Sequence, residues 1–141
     1  MCPDEWTFYC SRDYAARHGI PRTRAALHGH ALVGGGGVMT WRAYEAILQE
    51  IGIAEQVAIQ QATMTGLLTG VRSGLGIGAL PCFIAEGEDD LIRCMRPRAE
   101  PDRWIWLLTH ERVRHSPPVR TVVDFLYERM KRRVRDLNLA H

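Results

Sequence analysis

A chain of 141 residues, 46% hydrophobic and 24% charged, has the length of one domain and enough apolar side chain to build a core, which sets aside disordered, collagen-like and secreted miniprotein classes. Its apolar runs are short and broken by Gly, Pro or charge, so no membrane-spanning helix is expected, and Met1-Cys2-Pro3-Asp4-Glu5-Trp6 lacks the basic-then-apolar order of a secretion leader. The formal charge of +2 is unevenly spread, with eight basic and four acidic residues in 110–141 and ten basic and twelve acidic before them. The one dense basic run, Lys131-Arg132-Arg133-Val134-Arg135, reads as a solvated helix end rather than a nucleic-acid stripe.

In chain order, the aromatic-rich alternation of residues 5–10 predicts a strand. Ser11 is placed to cap a short helix through Tyr14 and Ala15 that Gly19 closes. Thr23 can cap a further turn through Ala26 and Leu27, and His30 to Val33 reads as a brief buried strand. Gly34 to Gly37 then resembles a phosphate loop only superficially. It lacks both the GxxxxGK[ST] lysine and the GxGxxG spacing, so a flexible or close-approach loop is expected, one that could border a cleft. From Thr40, the spacing of Trp41, Tyr44, Ile47, Leu48 and Ile51 predicts a helix that ends at Gly52.

Gln56 to Gln60 reads as a strand, and Thr63 as the N-cap of a helix carrying Leu67, Leu68 and Val71 that ends at Gly74. Leu75 to Pro81, with alternating glycines, predicts a strand packed closely against neighbouring backbone. Glu86 to Asp90 is expected as an exposed acidic turn, Leu91 to Met95 as a strand, and Arg96 to Arg103 as loop. Arg103 to Thr109 is apolar enough to suggest a central strand. Pro117-Pro118 opens the longest helix, whose apolar stripe is Val119, Val122, Val123, Leu126, Met130, Val134 and Leu137. Strands alternating with helices indicate a layered α/β fold with no internal repeat.

The chemistry-bearing residues are sparse. Cys2, Cys10, Cys82 and Cys94 form no CxxC pattern, so no zinc site is expected, and Cys82 and Cys94 sit in apolar surroundings that suit core thiols. With no leader, reduced thiols in the cytoplasm are the default. His28 and His30 stand two apart without further ligands nearby, which favours one packed and one solvated ring over a metal site. No GxSxG, HExxH or Cys/His set is present. The expectation is therefore no catalytic residue, no cofactor and no metal.

The segment Val71-Arg72-Ser73-Gly74-Leu75-Gly76-Ile77-Gly78-Ala79-Leu80-Pro81 resembles the V-x-x-G-x-G-[IV]-[AG]-x-[LI]-P signature of LysR-type transcriptional regulators, at a helix-to-strand transition of their effector-binding domain. Ser11 to Gly19 is similar to the family's S-P-x-Y-L-x-R-H-G, and Leu27-His28-Gly29-His30 to its L-x-x-H. Trp106 to His110 with Val119 to Leu126 is similar to its terminal strand and helix. The pieces keep the family's order over about residues 7–130. Nothing here resembles the family's winged helix-turn-helix or the first half of its effector-binding domain.

The resemblance implies a type 2 periplasmic-binding-protein-like fold with a mixed sheet. In that frame residues 1–141 are part of a LysR substrate-binding domain, with the second lobe at about 7–100 and the closing strand and helix of the first lobe at about 101–137. It implies a cytoplasmic effector-sensing module that binds a small organic acid, forms a homo-oligomer, reaches DNA only through the winged helix-turn-helix, and neither contacts membrane nor catalyses a reaction. In the family, polar groups at the start of the helix before the glycine signature meet the effector. In this chain those positions are Gln60, Gln61, Thr63 and Thr65. Helix N-terminal N–H groups attract carboxylates, although Thr63 could simply cap its helix. A truncated, self-associating fragment is one alternative, and a small enzyme or solute-binding protein on the same fold is another.

Overall fold

A computed structural model gives the structure, which describes residues 2–97 and 104–139. The chain divides into two compact units, Trp6–Arg98 and a second formed by Met1–Glu5 with Ala99–His141. In chain order the elements are β1 (Cys2–Pro3), β2 (Trp6–Ser11), α1 (Arg12–His18), β3 (Leu32–Gly35), α2 (Val38–Ile51), β4 (Val57–Gln61), α3 (Met64–Arg72), β5 (Gly78–Pro81), the short α4 (Cys82–Ala85), β6 (Leu91–Arg93), β7 (Trp104–Ile105) and α5 (Pro117–Leu139). Short 3₁₀ turns cover Ala25–Gly29 and Ala54–Gln56.

The larger unit is built on a mixed sheet. β2 lies between two antiparallel neighbours, pairing Tyr9 with Gly78 of β5 on one side and Cys10 with Ile92 of β6 on the other. β3 and β4 run parallel, with Gly34 opposite Gln60 and Gly35 opposite Gln61. A parallel bridge from Leu32 to Ile77, with Val33 N donating to the Ile77 carbonyl at 2.9 Å, joins the two sets in the sequence β4-β3-β5-β2-β6. Parallel strands need a crossover, and α2 supplies it between β3 and β4.

The core forms where apolar periodicity meets this sheet. Phe8, Cys10, Tyr14, Leu27, Leu32, Tyr44, Leu48, Ile53, Ile77 and Cys94 make one buried cluster. At about 25 cal/mol per Å² of apolar area removed from water, each such aliphatic side chain contributes roughly 1.5–3 kcal/mol before entropy is counted. Local caps act as the sequence suggests: the Ser11 hydroxyl accepts from Tyr14 N at 3.1 Å, the Thr23 hydroxyl from Ala26 N at 3.3 Å, and Gly52 closes α2 in the left-handed region.

Several expectations are corrected. β3 begins at Leu32 and takes in Gly34 and Gly35, so half of the expected glycine loop is strand. The reason is close approach: Trp41 and Val57 crowd the place a Gly34 side chain would occupy, and the Gln61 backbone crowds that of Gly35. α2 starts at Val38, two residues before Thr40. The acidic turn is not simply solvated. Glu86 accepts from the Tyr9 hydroxyl at 3.1 Å and from Arg93 at 3.0 Å, and its side chain is 17% exposed. Of the expected loop at 96–103, residues 98–103 lie outside the described residues.

In the smaller unit, β1 and β7 form a two-stranded antiparallel pair, Cys2 opposite Ile105, and α5 lies against β1. The expected central strand at 103–109 therefore reduces to Trp104–Ile105, while Trp106 is 63% and Leu108 83% exposed. Arg103 and the side chain of Leu137 lie outside what is described. α5 does form from Pro117, yet its apolar side is largely open, with Val122, Phe125 and Leu126 all exposed.

Candidate functional site

Consecutive residues of a strand face opposite sides of a sheet, and β3 uses this to carry a helix on each face. Leu32 packs with Tyr44 and Leu48 of α2 in the main cluster. Val33 points the other way, where a side chain at Gly70 of α3 would meet it at 3.2 Å. Gly78 stands beside Leu67 and Val71 on that same face. β3 thus leads into a helix on one face and β4, its parallel neighbour, into a helix on the other. In open α/β sheets such a reversal leaves a crevice beyond the carboxyl ends of the two strands.

The residues at that edge are Gly36, Gly37, Ala62 and Thr63, followed by the first turns of α2 and α3. Gly36 N donates to the Gln61 carbonyl at 2.9 Å, which holds the glycine loop against the end of β4. Gly35, Gly36 and Gly37 have φ values of 113°, 94° and 99°, a region that side-chain-bearing residues avoid. Gly37 caps α2 without a side chain, so no hydroxyl or carboxylate of its own satisfies the first N–H groups of that helix. Thr63 does cap α3, its hydroxyl accepting from Gly66 N at 3.0 Å. Neither Gly34–Val38 nor Gln60–Gly66 carries a charged side chain. The electrostatics of the edge are therefore those of two helix N-termini, each bearing about half a positive charge.

The four residues singled out from the sequence do not behave alike. Gln60, Thr63 and Thr65 are exposed at this edge. Gln61 is half-buried, and its carboxamide lies along α3, with Oε1 3.0 Å from where a Gly66 side chain would start. Gly66 and Gly70 leave room for it. The Gly34–Gly37 run, a weaker cleft candidate in the sequence, ends at the same edge as Thr63, and the missing signal was the β3–β4 register. Behind the site, the Tyr44 hydroxyl donates to the Val33 carbonyl at 3.2 Å, and burial pushes that phenol far above its ordinary range.

A second hollow of about 270 Å³ lies beside Tyr9, Arg12, Glu86, Asp89 and Arg93. Arg93 pairs with Glu86 there, and Arg12 Nε donates to the Asp89 backbone carbonyl at 2.8 Å, so both guanidinium groups already have a partner. His28 and His30 are likewise occupied singly, His28 Nδ1 lying 3.3 Å from Gln56 Nε2 and His30 Nδ1 3.0 Å from the Tyr14 hydroxyl. Among the described residues there is no group of three or more side chains suited to a metal ion, and no helix is long and apolar enough to cross a membrane.

Comparison with known proteins places the chain in a family. The model of the LysR substrate binding domain matches residues 1–131, and the chain belongs to that family. Among solved structures, the regulatory domain of CrgA, a LysR-type transcriptional regulator from Neisseria meningitidis, is similar at 20% identity and a TM-score of 0.62, over 89% of this chain and 64% of that one. The CcmR regulatory domain of Synechocystis PCC6803, solved in complex with 2-PG, is similar at 14% identity and a TM-score of 0.54, over 89% of this chain and 62% of that one. The regulatory domain of AphB from Vibrio vulnificus aligns at 19% identity and a TM-score of 0.49, over 67% of this chain and 49% of that one. The chain thus spans between about half and two thirds of the length of these domains. No curated protein matches it significantly.

Proposed function

We propose that this chain is the effector-sensing part of a LysR-type transcriptional regulator, and that it takes a small organic acid at the edge formed by Gly36, Gly37, Gln60, Thr63 and Thr65. The observation that carries this reading is the meeting of the α2 and α3 N-termini at the carboxyl ends of β3 and β4, with no charged side chain to compete for an anion. Free first-turn N–H groups hold a carboxylate, while Gln60 and Thr65 give direction through oriented side-chain donors. Gln61 acts as a positioning residue, its carboxamide steadying α3. The complex of the CcmR regulatory domain with 2-PG is in keeping with a small-molecule ligand on this fold.

Residues about 7–100 are read as the second lobe of the domain and about 101–137 as the closing strand and helix of the first, a division supported by the boundary near Trp6 and Arg98. The regulator as a whole works in the cytoplasm as a homo-oligomer, touches DNA through a winged helix-turn-helix rather than through these residues, and performs no catalysis.

The test is calorimetric titration of a panel of small carboxylates against the chain and its variants. Gln60→Ala and Thr65→Ala each remove one donor, and losing a hydrogen bond to a charged group, about 1.5–3 kcal/mol, weakens binding at least about tenfold. Both residues are exposed, so thermal stability should stay within about 0.5 kcal/mol of the parent. A carboxylate that binds both variants as tightly as the parent overturns the assignment.

A further inference from the structure

Two thiols meet inside the Trp6–Arg98 unit in a way the effector site does not use. Cys10 lies on β2 opposite Ile92 of β6, and Cys94, just beyond β6, donates its backbone N–H to the Phe8 carbonyl at 2.9 Å. The two cysteines are therefore diagonal neighbours on one face of an antiparallel pair. Both are fully buried, and the Cys94 thiol donates to Cys10 Sγ at 3.6 Å. A disulfide needs about 2.05 Å between sulfurs and a closer backbone approach than diagonal neighbours usually have, so closing the remaining roughly 1.6 Å takes a shift of β6 as well as side-chain rotation.

Three features set this pair apart from thiols that merely fill a core. The Cys94 thiol, 3.6 Å away, holds Cys10 below the ordinary thiol value, with burial opposing and the Arg22 guanidinium adding a smaller effect in the same direction as Cys94. Access comes through β6, which is three residues long and lies at an edge of its sheet, where local opening is least costly. The placement is also mechanically significant. β2 begins at Trp6, the first residue of this unit, and Cys94 lies just before the unit ends at Arg98, so the paired strands carry both passages of the chain out of the unit.

We propose that Cys10 and Cys94 form a reversible redox staple that responds to small hydroperoxides and ties the edge strand β6 to β2. With β6 opened, the Cys10 thiolate attacks the terminal peroxide oxygen. The O–O bond breaks, the departing oxygen takes a proton and leaves as alcohol or water, and Cys10 becomes a sulfenic acid. The Cys94 sulfur then attacks the Cys10 sulfur and expels hydroxide, which leaves as water with the Cys94 proton. Two thiols lose two electrons and the peroxide gains them. A dithiol reductant reverses the bridge by exchange.

The experiment treats the folded chain with hydrogen peroxide, alkylates the remaining thiols and maps peptides by mass spectrometry without reduction. The expected dominant link joins Cys10 to Cys94, two hydrogens lighter than the free pair, and dithiothreitol removes it. Its formation should quicken in urea too dilute to unfold the chain, and the bridged form should melt higher by on the order of 5–15 °C, because the cross-link closes a long loop. The Cys2→Ser/Cys82→Ala variant, which keeps only the proposed pair, should bridge as the parent does. Dominant links to Cys2 or Cys82, or oxidation that runs to sulfinic acid with no bridge, would overturn the proposal.

Discussion

Thr63 accepts the Gly66 N–H at 3.0 Å and is also exposed at the proposed binding edge, so capping and ligand contact can be separated there. Thr63→Ala should destabilise the chain by about 1 kcal/mol in chemical denaturation, whereas Thr63→Ser should keep the cap. Gly35 is constrained by its neighbours. An alanine there would drive a methyl group into the Gln61 backbone at a φ of 113°, and Gly35→Ala should cost at least about 2 kcal/mol of stability, read as a lower denaturation midpoint.

His30 supplies a pH dependence. Its Nδ1, when unprotonated, accepts from the Tyr14 hydroxyl at 3.0 Å, while the Tyr14 oxygen accepts from Ala31 N at 3.2 Å. Burial, with a smaller effect from His18, holds His30 below its ordinary value of 6.5. The unfolded chain therefore takes up this proton first as pH falls. Stability from this residue is complete above about pH 6.5, declines as pH drops below it, and levels off beneath the folded value. The ring is only partly buried, so the slope is shallow. Thermal melts between pH 8 and 5 should show it, and His30→Phe should flatten that part of the profile.

At the scale of elements, α5 leaves much of its apolar side uncovered. Val122 is 56% and Phe125 59% exposed, and Leu126 joins them on the open side of the helix. Contiguous exposed apolar surface promotes association. Light scattering should show the mean mass rising with concentration, and Val122→Lys with Phe125→Lys should suppress that rise while leaving the melting temperature unchanged. A concentration-independent monomeric mass for the parent would exclude association through this face.

The same scale shows what local sequence can reveal. Ser11, Thr23 and Thr63 were readable as caps, and Gly52 as a stop, because each acts within four residues of itself. The helix over Trp41 to Ile51 was readable from spacing because one face had to meet a core. Arg103 to Thr109 misled because strand pairing depends on a partner, and the partner of Trp104–Ile105 is Cys2–Pro3, about a hundred residues away. The short α4 went unread because four residues carry no periodicity.

At the scale of the molecule, the alternation of strands and helices was enough to determine a layered α/β class, and the motif series around Gly74, Gly76 and Gly78 led to the family that the match over residues 1–131 establishes. Both follow from patterns of side chains read along the chain. Tertiary structure alone decided that Gly34 and Gly35 are strand, that Gly36–Gly37 and Thr63 share one edge while Gln61 turns along α3, and that Cys10 and Cys94 touch. Those facts depend on the parallel register of β3 with β4, the Leu32–Ile77 bridge and the antiparallel register of β2 with β6. Register joins residues far apart in sequence through backbone hydrogen bonds, and a one-residue slip would turn every side chain to the opposite face.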